Sequence, residues 1–316
     1  MSVKSWLAGA LVASFSAIGA AEAAEVIRIG LPAKAYWPTV TTRASEEMKL
    51  FAKEGVTAEV TAYRSGAEAF EALVAGAADL IIAPPSLTAV GIGKGIQTKV
   101  VAGGATGTFG WYLGVADSSP IKSVAELKDK KIGITSAGSV TDQLARWASR
   151  NAGIEMTRVP LGGGIVPNLI SGNIDAAILY SPMSYQVIAD KQARPLVDFA
   201  AAMPPSMADA WITTDKLIAE KPQLIQKALN AVFGGVQYVQ GNRDYAVRLI
   251  KEIHNINDAN AATHFDQAVM KLLPQGEIKP EWLDSWYDLA RLGGQTDLAA
   301  TPATFTTQFT VTPTKP

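Results

Sequence analysis

Short apolar runs alternate with amphipathic stretches through most of the chain. Five early runs have the length and β-branched content of strands: 26–31, 57–63, 79–83, 98–104 and 111–116. Residues 38–53 and 66–75 carry apolar side chains at helical spacing, and Gly55 and Gly76 follow them as stop signals. This alternation predicts an α/β fold made of βαβ units around mostly parallel sheets with flanking helices.

The same pattern begins again after Pro120. KKIGIT at 130–135 resembles VIRIGL at 26–31, and both are strand-like runs. The best match joins GxxDLIIAP at 76–84 with GxxDAAILYSP at 172–182. In each segment a glycine ends a helix, an aspartate precedes a buried strand and a proline closes that strand. The shared order of elements predicts two similar lobes.

The pattern changes to helix from Asp215 onward. Asp215 is typical of a helix cap, Pro222 of a first helical turn, and an apolar stripe with helical period starts at Leu224. Residues 301–316 are rich in Thr and Pro and have no amphipathic period. We expect a helical C-terminal part followed by an extended tail.

The first residues have the composition of an export signal. Lys4 precedes an apolar run, and Ala21-Glu22-Ala23 supplies the small residues that a signal peptidase recognises. The run is too short for a stable membrane span, which needs about 20 apolar residues. We therefore predict a signal peptide over 1–23, cleavage after Ala23 and a periplasmic location.

Composition and charge exclude several classes of function. The 316 residues carry 28 Lys and Arg against 29 Asp and Glu, with no Cys and two His. A balanced charge offers no basic face for nucleic acid. The absence of Cys removes thiol chemistry and Cys-ligated metals. We expect His254 and His264, ten residues apart in a polar region, to be surface side chains, and we predict no metal, no cofactor and no catalytic residues.

Ligands of open α/β sheets bind beyond the carboxyl ends of the strands, and this rule selects six loops. Their aromatic and polar side chains are candidate ligand contacts: Tyr36, Trp37, Arg64, Ser86, Trp111, Ser139, Thr141, Tyr180 and Ser181, with Ser65 and Ser136 as further hydroxyls. Two readings stay open, since Ser139 also suits a plain helix cap and Trp37 a packing aromatic. Lys34 and Arg64 are the only cations in these loops, so a ligand with one negative charge or none fits best.

Two segments resemble a known family. GxxDLIIAPPS at 76–86 and SVAELKDKKIGITSAGSVTD at 123–142 are similar to periplasmic solute-binding proteins of the nitrate/sulfonate/taurine type, a group related to the binders of thiamine-precursor pyrimidines. The resemblance implies the type II periplasmic-binding fold, with two α/β lobes joined by crossings near 113–117 and 207–213. It implies one lobe from 24–113 plus 208–300 and a second from 114–207. The family's ligand contacts would fall on Tyr36, Trp37, Ser86, Ser139, Thr141, Tyr180 and Ser181.

The resemblance also implies a function. We expect a monomeric receptor of an ABC importer that captures a small organic solute between its lobes and delivers it to a membrane permease. A sulfonate or carboxylate, or a small aromatic or heteroaromatic molecule, would suit the loops. Two alternatives remain at this point: an enzyme that acts in the same cleft, and a ligand-sensing subunit for a membrane kinase.

Overall fold

The computed structural model describes residues 24–316 and shows two lobes, each built on a five-stranded sheet. The predicted signal peptide, 1–23, lies outside the described residues. Within the described range, no helix combines the length and the apolar character needed to cross a membrane.

The described chain alternates strands and helices in the predicted way. The strands are β1 (Glu25–Leu31), β2 (Val56–Ala62), β3 (Leu80–Ala83), β4 (Thr98–Ala105), β5 (Tyr112–Ala116), β6 (Lys131–Ile134), β7 (Thr157–Pro160), β8 (Ala176–Leu179), β9 (Ala193–Asp198) and β10 (Asp209–Thr214). The α-helices are α1 (Trp37–Glu47), α2 (Leu50–Lys53), α3 (Gly66–Val74), α4 (Ser86–Gly93), α5 (Val140–Ala152), α6 (Ile165–Ile170), α7 (Met183–Ala189), α8 (Phe199–Ala202), α9 (Asp215–Glu220), α10 (Pro222–Gly241), α11 (Arg243–His254), α12 (Asp258–Gln267) and α13 (Pro280–Leu292).

The two sheets have the same topology. The first lobe has the strand order β2-β1-β3-β10-β4, and the second has β7-β6-β8-β5-β9. In each sheet the first three strands are parallel, and the fourth runs antiparallel to both of its neighbours. The chain crosses between the lobes at these antiparallel strands. It passes from β4 of the first sheet to β5, which belongs to the second sheet, and it returns after β9 through β10, which belongs to the first sheet.

The repeated segments occupy equivalent places in the two lobes. The backbone N–H of Arg28 in β1 donates to Oδ2 of Asp79 at 2.9 Å, and the backbone N–H of Lys131 in β6 donates to Oδ2 of Asp175 at 2.9 Å. Each aspartate thus ties the start of its buried strand to the neighbouring strand. The two-lobe α/β fold predicted from the repeat is confirmed.

The lobes are joined by two connections, 106–111 between β4 and β5 and 203–208 between α8 and β10. Both lie a few residues before the expected positions, because residues 112–116 and 209–214 are already strands of the sheets. Gly110 in the first connection has φ +75°, and a Cβ there would lie 2.5 Å from Oη of Tyr185. Only glycine fits this backbone conformation and this close approach.

The C-terminal helices cover the first lobe and reach the second. The predicted stripe of α10 is buried, with Leu229 and Phe233 among the core side chains, and this helix packs on α1 and α2. Helix α12 contacts α7, and α13 contacts α5, so both span the two lobes. The tail, 301–316, is extended after one short turn and is held to the first lobe, where the backbone N–H of Thr306 donates to the carbonyl oxygen of Val100.

Two local predictions are wrong. The helix expected over 38–53 is divided into α1 and α2, because Lys49 adopts a left-handed backbone conformation with φ +56°. The two histidines are not surface side chains. His264 is fully buried, His254 is half-buried, and their rings meet edge to face at 5.8 Å between α11 and α12. Sequence spacing failed here because the chain reverses at Asn255 and brings two helices face to face.

Candidate functional site

Side chains of both lobes surround one pocket at the carboxyl ends of the strands. The space between these side chains is about 360 Å³ when open solvent is included. The first lobe lines it with Pro32, Ala33, Tyr36, Ser65, Gly66, Pro84 and Asp209, and the second lobe and its connection line it with Trp111, Thr135, Ser139, Val140, Thr141 and Tyr180. These positions directly follow β1, β2, β3, β6 and β8, or begin the antiparallel strands, as expected for a ligand site in α/β sheets.

Three aromatic rings line the pocket. The ring of Tyr36 stands perpendicular to those of Trp111 and Tyr180, with centroid distances of 5.8 and 5.9 Å. Trp111 and Tyr180 lie 5.3 Å apart at an interplanar angle of 33°. Because Tyr36 belongs to the first lobe and Tyr180 to the second, this cluster of three rings joins the lobes across the cleft.

Asp209 supplies the only carboxylate among the described residues that line the pocket. Its side chain is buried at the first residue of β10, and the hydroxyl of Tyr36 donates a short hydrogen bond to its Oδ2. Burial raises the pKa of the Asp209 carboxyl to about 6, although the hydrogen bond from Tyr36 opposes the shift. Burial beside this carboxylate also raises the pKa of Tyr36 well above its ordinary value. Both members of the Tyr36–Asp209 pair thus have raised pKa values, and shifted pKa values are common at functional sites.

The second lobe contributes a cluster of hydroxyls at the start of α5. Oγ of Ser139 caps the helix by accepting from the backbone N–H of Asp142 at 3.3 Å. It also lies 2.7 Å from the hydroxyl of Thr141 and 2.9 Å from that of Thr135. Each of these hydroxyls already has partners within the cluster. Ser139 is thus a helix cap that also lines the pocket.

Asp142 lies in the first turn of α5, just outside the pocket. Its Oδ2 accepts from the backbone N–H of Gly138 at 3.0 Å and from Nε of Arg146 at 3.0 Å. Nε of Arg158 lies 2.8 Å from its Oδ1. The negative side chain thus compensates the positive end of α5 and is itself neutralised by two arginines.

Direct hydrogen bonds close the cleft beside the pocket. Oγ of Ser136 in the second lobe donates to Oγ of Ser65 in the first at 2.8 Å. The side-chain amide of Gln143 donates to Oγ of Ser86 at 2.8 Å, again from one lobe to the other. These contacts place the two lobes in a closed arrangement.

The predicted site residues divide into two groups. Tyr36, Trp111, Ser139, Thr141 and Tyr180 line the pocket. The remaining four lie elsewhere. Trp37 is buried behind Tyr36, where its ring would meet any side chain added at Gly104, and Ser86 pairs with Gln143 as described. The Oγ of Ser181 is buried near the carbonyl oxygen of Phe109, at 3.4 Å.

The two cations of the predicted loops are exposed. The Arg64 side chain is 81% exposed and forms an ion pair with Glu68 at 3.1 Å, and Lys34 also lies at the surface. Within residues 24–316, no Lys, Arg or His lines the pocket, and no group of three or more His, Asp or Glu is placed to hold a metal ion. The described pocket can therefore bind through aromatic faces, hydroxyls and one carboxylate.

Sequence reasoning missed Asp209 and Thr135. Asp209 stands in the apolar run MADAWI, which shows no feature of a ligand loop. A usable signal was present, because an acidic residue inside an otherwise apolar run is seldom fully buried unless it has a partner. Thr135 lay inside a predicted loop but was not selected from it.

A match to a family model identifies the family of the chain. The model described as "NMT1/THI5 like" matches residues 44–246, which is more than half of the chain. The chain belongs to the NMT1/THI5-like family. A relative of this family member, a protein of Brucella abortus (strain 2308) named "Putative binding protein", is 26% identical over 280 residues that cover 83% of this chain and 84% of the relative.

Solved structures share the fold of this NMT1/THI5-like protein. The alkanesulfonate-binding protein SsuA from Xanthomonas axonopodis pv. citri, bound to MOPS, has a TM-score of 0.76 at 17% sequence identity. The alignment covers 90% of this chain and 99% of the SsuA chain. The periplasmic nitrate-binding protein NrtA from Synechocystis PCC 6803 has a TM-score of 0.62 at 16% identity, covering 74% of this chain and 68% of its own. The fold is therefore that of the periplasmic solute-binding proteins of ABC importers.

One structural neighbour is an enzyme. The desulfurization enzyme DSZB has a TM-score of 0.60 at 15% identity and covers 87% of this chain and 94% of its own. The same two-lobe fold thus carries both binding proteins and an enzyme, and fold alone does not choose between them.

Proposed function

We propose that this protein is the solute-binding receptor of an ABC importer, which captures a small organic solute between its lobes and delivers it to a membrane permease. One observation carries the proposal: the ring of Tyr36 from the first lobe and that of Tyr180 from the second line the same small pocket. A solute held there touches both lobes, so its binding free energy favours the closed arrangement. A permease that recognises the closed form would then receive loaded receptor.

The lining of the pocket bears on the class of solute. Of the solutes expected from the sequence, a small aromatic or heteroaromatic molecule fits better than a sulfonate or carboxylate. Three rings line the pocket, and the described residues bring no basic side chain to it. Membership of the NMT1/THI5-like family is compatible with either class.

The proposed receptor works outside the inner membrane, as a monomer. The export signal predicted over 1–23, with predicted cleavage after Ala23, supports this location. Edman sequencing of protein from a periplasmic fraction should begin at Ala24. An uncleaved N-terminus in the cytoplasmic fraction would show that the proposed location is wrong.

Solute capture is tested by native mass spectrometry of the purified protein, followed by thermal denaturation with the released solute. A receptor releases a small molecule on denaturation. Readdition at 100 times Kd should stabilise the native protein by about 2.7 kcal/mol. Tyr180→Ala should abolish most of this shift. Tyr238→Ala, the same change on the half-exposed face of α10 away from the cleft, is the matched control and should leave the shift unchanged.

Two outcomes would overturn the receptor function. If the solute returns with an altered mass after incubation, the protein is an enzyme on the same fold. If no small molecule co-purifies and solute panels leave the denaturation curve unmoved, the cleft is not a solute site. Uptake of the solute into vesicles that contain the permease separates transport from a sensory role.

A further inference from the structure

The pocket holds a buried negative group without a positive partner. Asp209 is 2% exposed, the hydroxyl of Tyr36 donates a hydrogen bond to its carboxylate, and the nearby indole of Trp37 also favours the ionised form. Removing a carboxylate from water costs several kcal/mol unless an opposite charge or a full set of hydrogen bonds compensates. Proteins retain such costly groups mainly at functional sites.

The second lobe shows how this chain treats a structural aspartate. Asp142 is as deeply buried as Asp209, but Arg146 and Arg158 approach its two oxygens at 3.0 and 2.8 Å. Asp209 has no counterpart of these arginines within residues 24–316. The difference indicates that the compensating charge for Asp209 comes from outside the chain.

The groups that face Asp209 are consistent with a positive ligand. Tyr36, Trp111 and Tyr180 present aromatic rings, whose faces attract cations. From the second lobe come the uncharged hydroxyls of Thr135, Ser139 and Thr141. No other charged side chain of the described elements lines the pocket.

An anion would find no basic side chain among the described residues that line the same pocket. The N-terminus of α5 is the natural place for a sulfonate or carboxylate, since free N–H groups attract negative charge. Here the Gly138 N–H already donates to the Asp142 carboxylate, and the Asp142 N–H donates to Ser139. The side chain of Asp142, just outside the pocket, thus already compensates part of the positive end of α5.

We propose that the cleft selects a small organic cation, such as a protonated amine, whose nitrogen lies against the carboxylate of Asp209 and the rings of Tyr36, Trp111 and Tyr180. This inference rests on the proposed receptor function and names the solute class of the same site. It separates this chain from the structural neighbours whose names refer to sulfonate and nitrate.

Four probes with one phenyl ring test the sign of the charge: benzylamine as the cation, benzyl alcohol as the neutral analogue, and benzoate and benzenesulfonate as anions. Each is titrated at millimolar concentration into the full mature chain, freed of co-purified solute by unfolding and refolding. Saturation-transfer NMR detects weak binding, and calorimetry gives Kd. We expect benzylamine to bind at least about tenfold more tightly than either anion, which corresponds to one opposite-charge contact.

Three variants identify the responsible group. Asp209→Asn keeps the size and can still accept from Tyr36, and it should weaken benzylamine binding at least about tenfold. Asp266→Asn makes the same change in a half-exposed ion pair with Arg243 and should have no effect. Tyr36→Phe keeps the ring and should retain the preference for the cation.

The wild-type pH profile is an independent measurement that needs no variant. An alkylamine stays protonated throughout this range, as a lysine side chain does. Benzylamine affinity should therefore follow ionisation of the Asp209 carboxyl and fall about tenfold from about pH 8 to about pH 5. Anion affinity, if any, should rise over the same interval.

Three results would overturn the inference. They are tighter binding of benzoate or benzenesulfonate than of benzylamine, unchanged benzylamine affinity in Asp209→Asn, and no binding of any probe. The first two leave the receptor function intact, because a solute still binds in the cleft. The receptor function itself fails only if the co-purification and thermal experiments also find no solute.

Discussion

The two lobes share one scaffold and present different chemistry to the cleft. In the first lobe the residue before α1 is Tyr36, which forms no side-chain cap and instead holds Asp209. In the second lobe the equivalent helix, α5, starts with Ser139, which caps it within a cluster of hydroxyls. The strands fix where the loops lie, whereas the loop residues fix what the site can bind. A duplicated frame therefore allows each half of a binding site to change independently.

The largest expected effect concerns the buried histidines of the α11–α12 hairpin, which packs on the first lobe and reaches α7 of the second. Burial lowers the pKa of His254 to about 4 and that of His264 to about 3, from an ordinary value of 6.5. The folded protein therefore binds these protons more weakly than the unfolded chain does. The free energy of unfolding keeps its full value above about pH 6.5 and decreases as pH falls towards the lowered pKa values. We expect a loss of about 3 kcal/mol per histidine between about pH 6.5 and pH 4.

His264→Leu removes one of these groups and keeps the buried volume similar. Urea unfolding of both proteins at several pH values gives the difference in the free energy of unfolding, in which the other titrating groups cancel. The variant should lose stability less steeply than wild type below pH 6.5. Parallel curves would show that the hairpin opens to water before it unfolds.

The next effect concerns the acidic half of the cleft. The pKa of Asp209 is raised from 3.8 to about 6, so its contribution to stability is fully present below pH 3.8 and is lost as pH rises through about 6. Asp209→Asn cannot ionise and should be more stable than wild type at about pH 8, by at most about 3 kcal/mol. Urea unfolding should show this gain vanishing near pH 4. A variant less stable than wild type at pH 8 would mean that the carboxylate is compensated within the fold.

A matched pair of substitutions tests the equivalence of the repeated aspartates. Asp79 accepts from the backbone and from the guanidinium of Arg28, with 13% of its side chain exposed. Asp175 accepts from the backbone, and Nζ of Lys130 stays 3.9 Å away. We expect Asp79→Ala to lower the free energy of unfolding by about 2 kcal/mol and Asp175→Ala by about 1 kcal/mol. Equal losses in denaturant titrations would show that only the shared backbone contact matters.

The smallest effect is expected at the helix caps. Ser139→Ala should destabilise the second lobe by about 1 kcal/mol, since Oγ caps α5, and Ser65→Ala should do the same for α3 in the first lobe. Chemical denaturation measures both. A loss well above this value for Ser139→Ala would mean that the hydroxyl cluster with Thr135 and Thr141 is cooperative.

Local patterns were sufficient for most of the frame. The alternation of apolar runs located the first strands to within one or two residues, and the GxxD repeat predicted two lobes because both aspartates make the same backbone contact. Strand ends also indicated the loops that carry Tyr36 and Tyr180. These features depend on side-chain periodicity and on short-range hydrogen bonds, which are written in consecutive residues.

Tertiary structure alone decided the chemistry of the cleft and the state of the histidines. Tyr36 contacts Asp209 although 173 positions of sequence separate them. The contact forms because the chain returns from the second lobe and adds β10, which begins with Asp209, to the first sheet. The same holds for His254 and His264, whose burial depends on how two helices fold back on each other. Sequence periodicity reports which face of an element is apolar. It does not report which distant element covers that face, and burial by that element sets the pKa and the charge of a site.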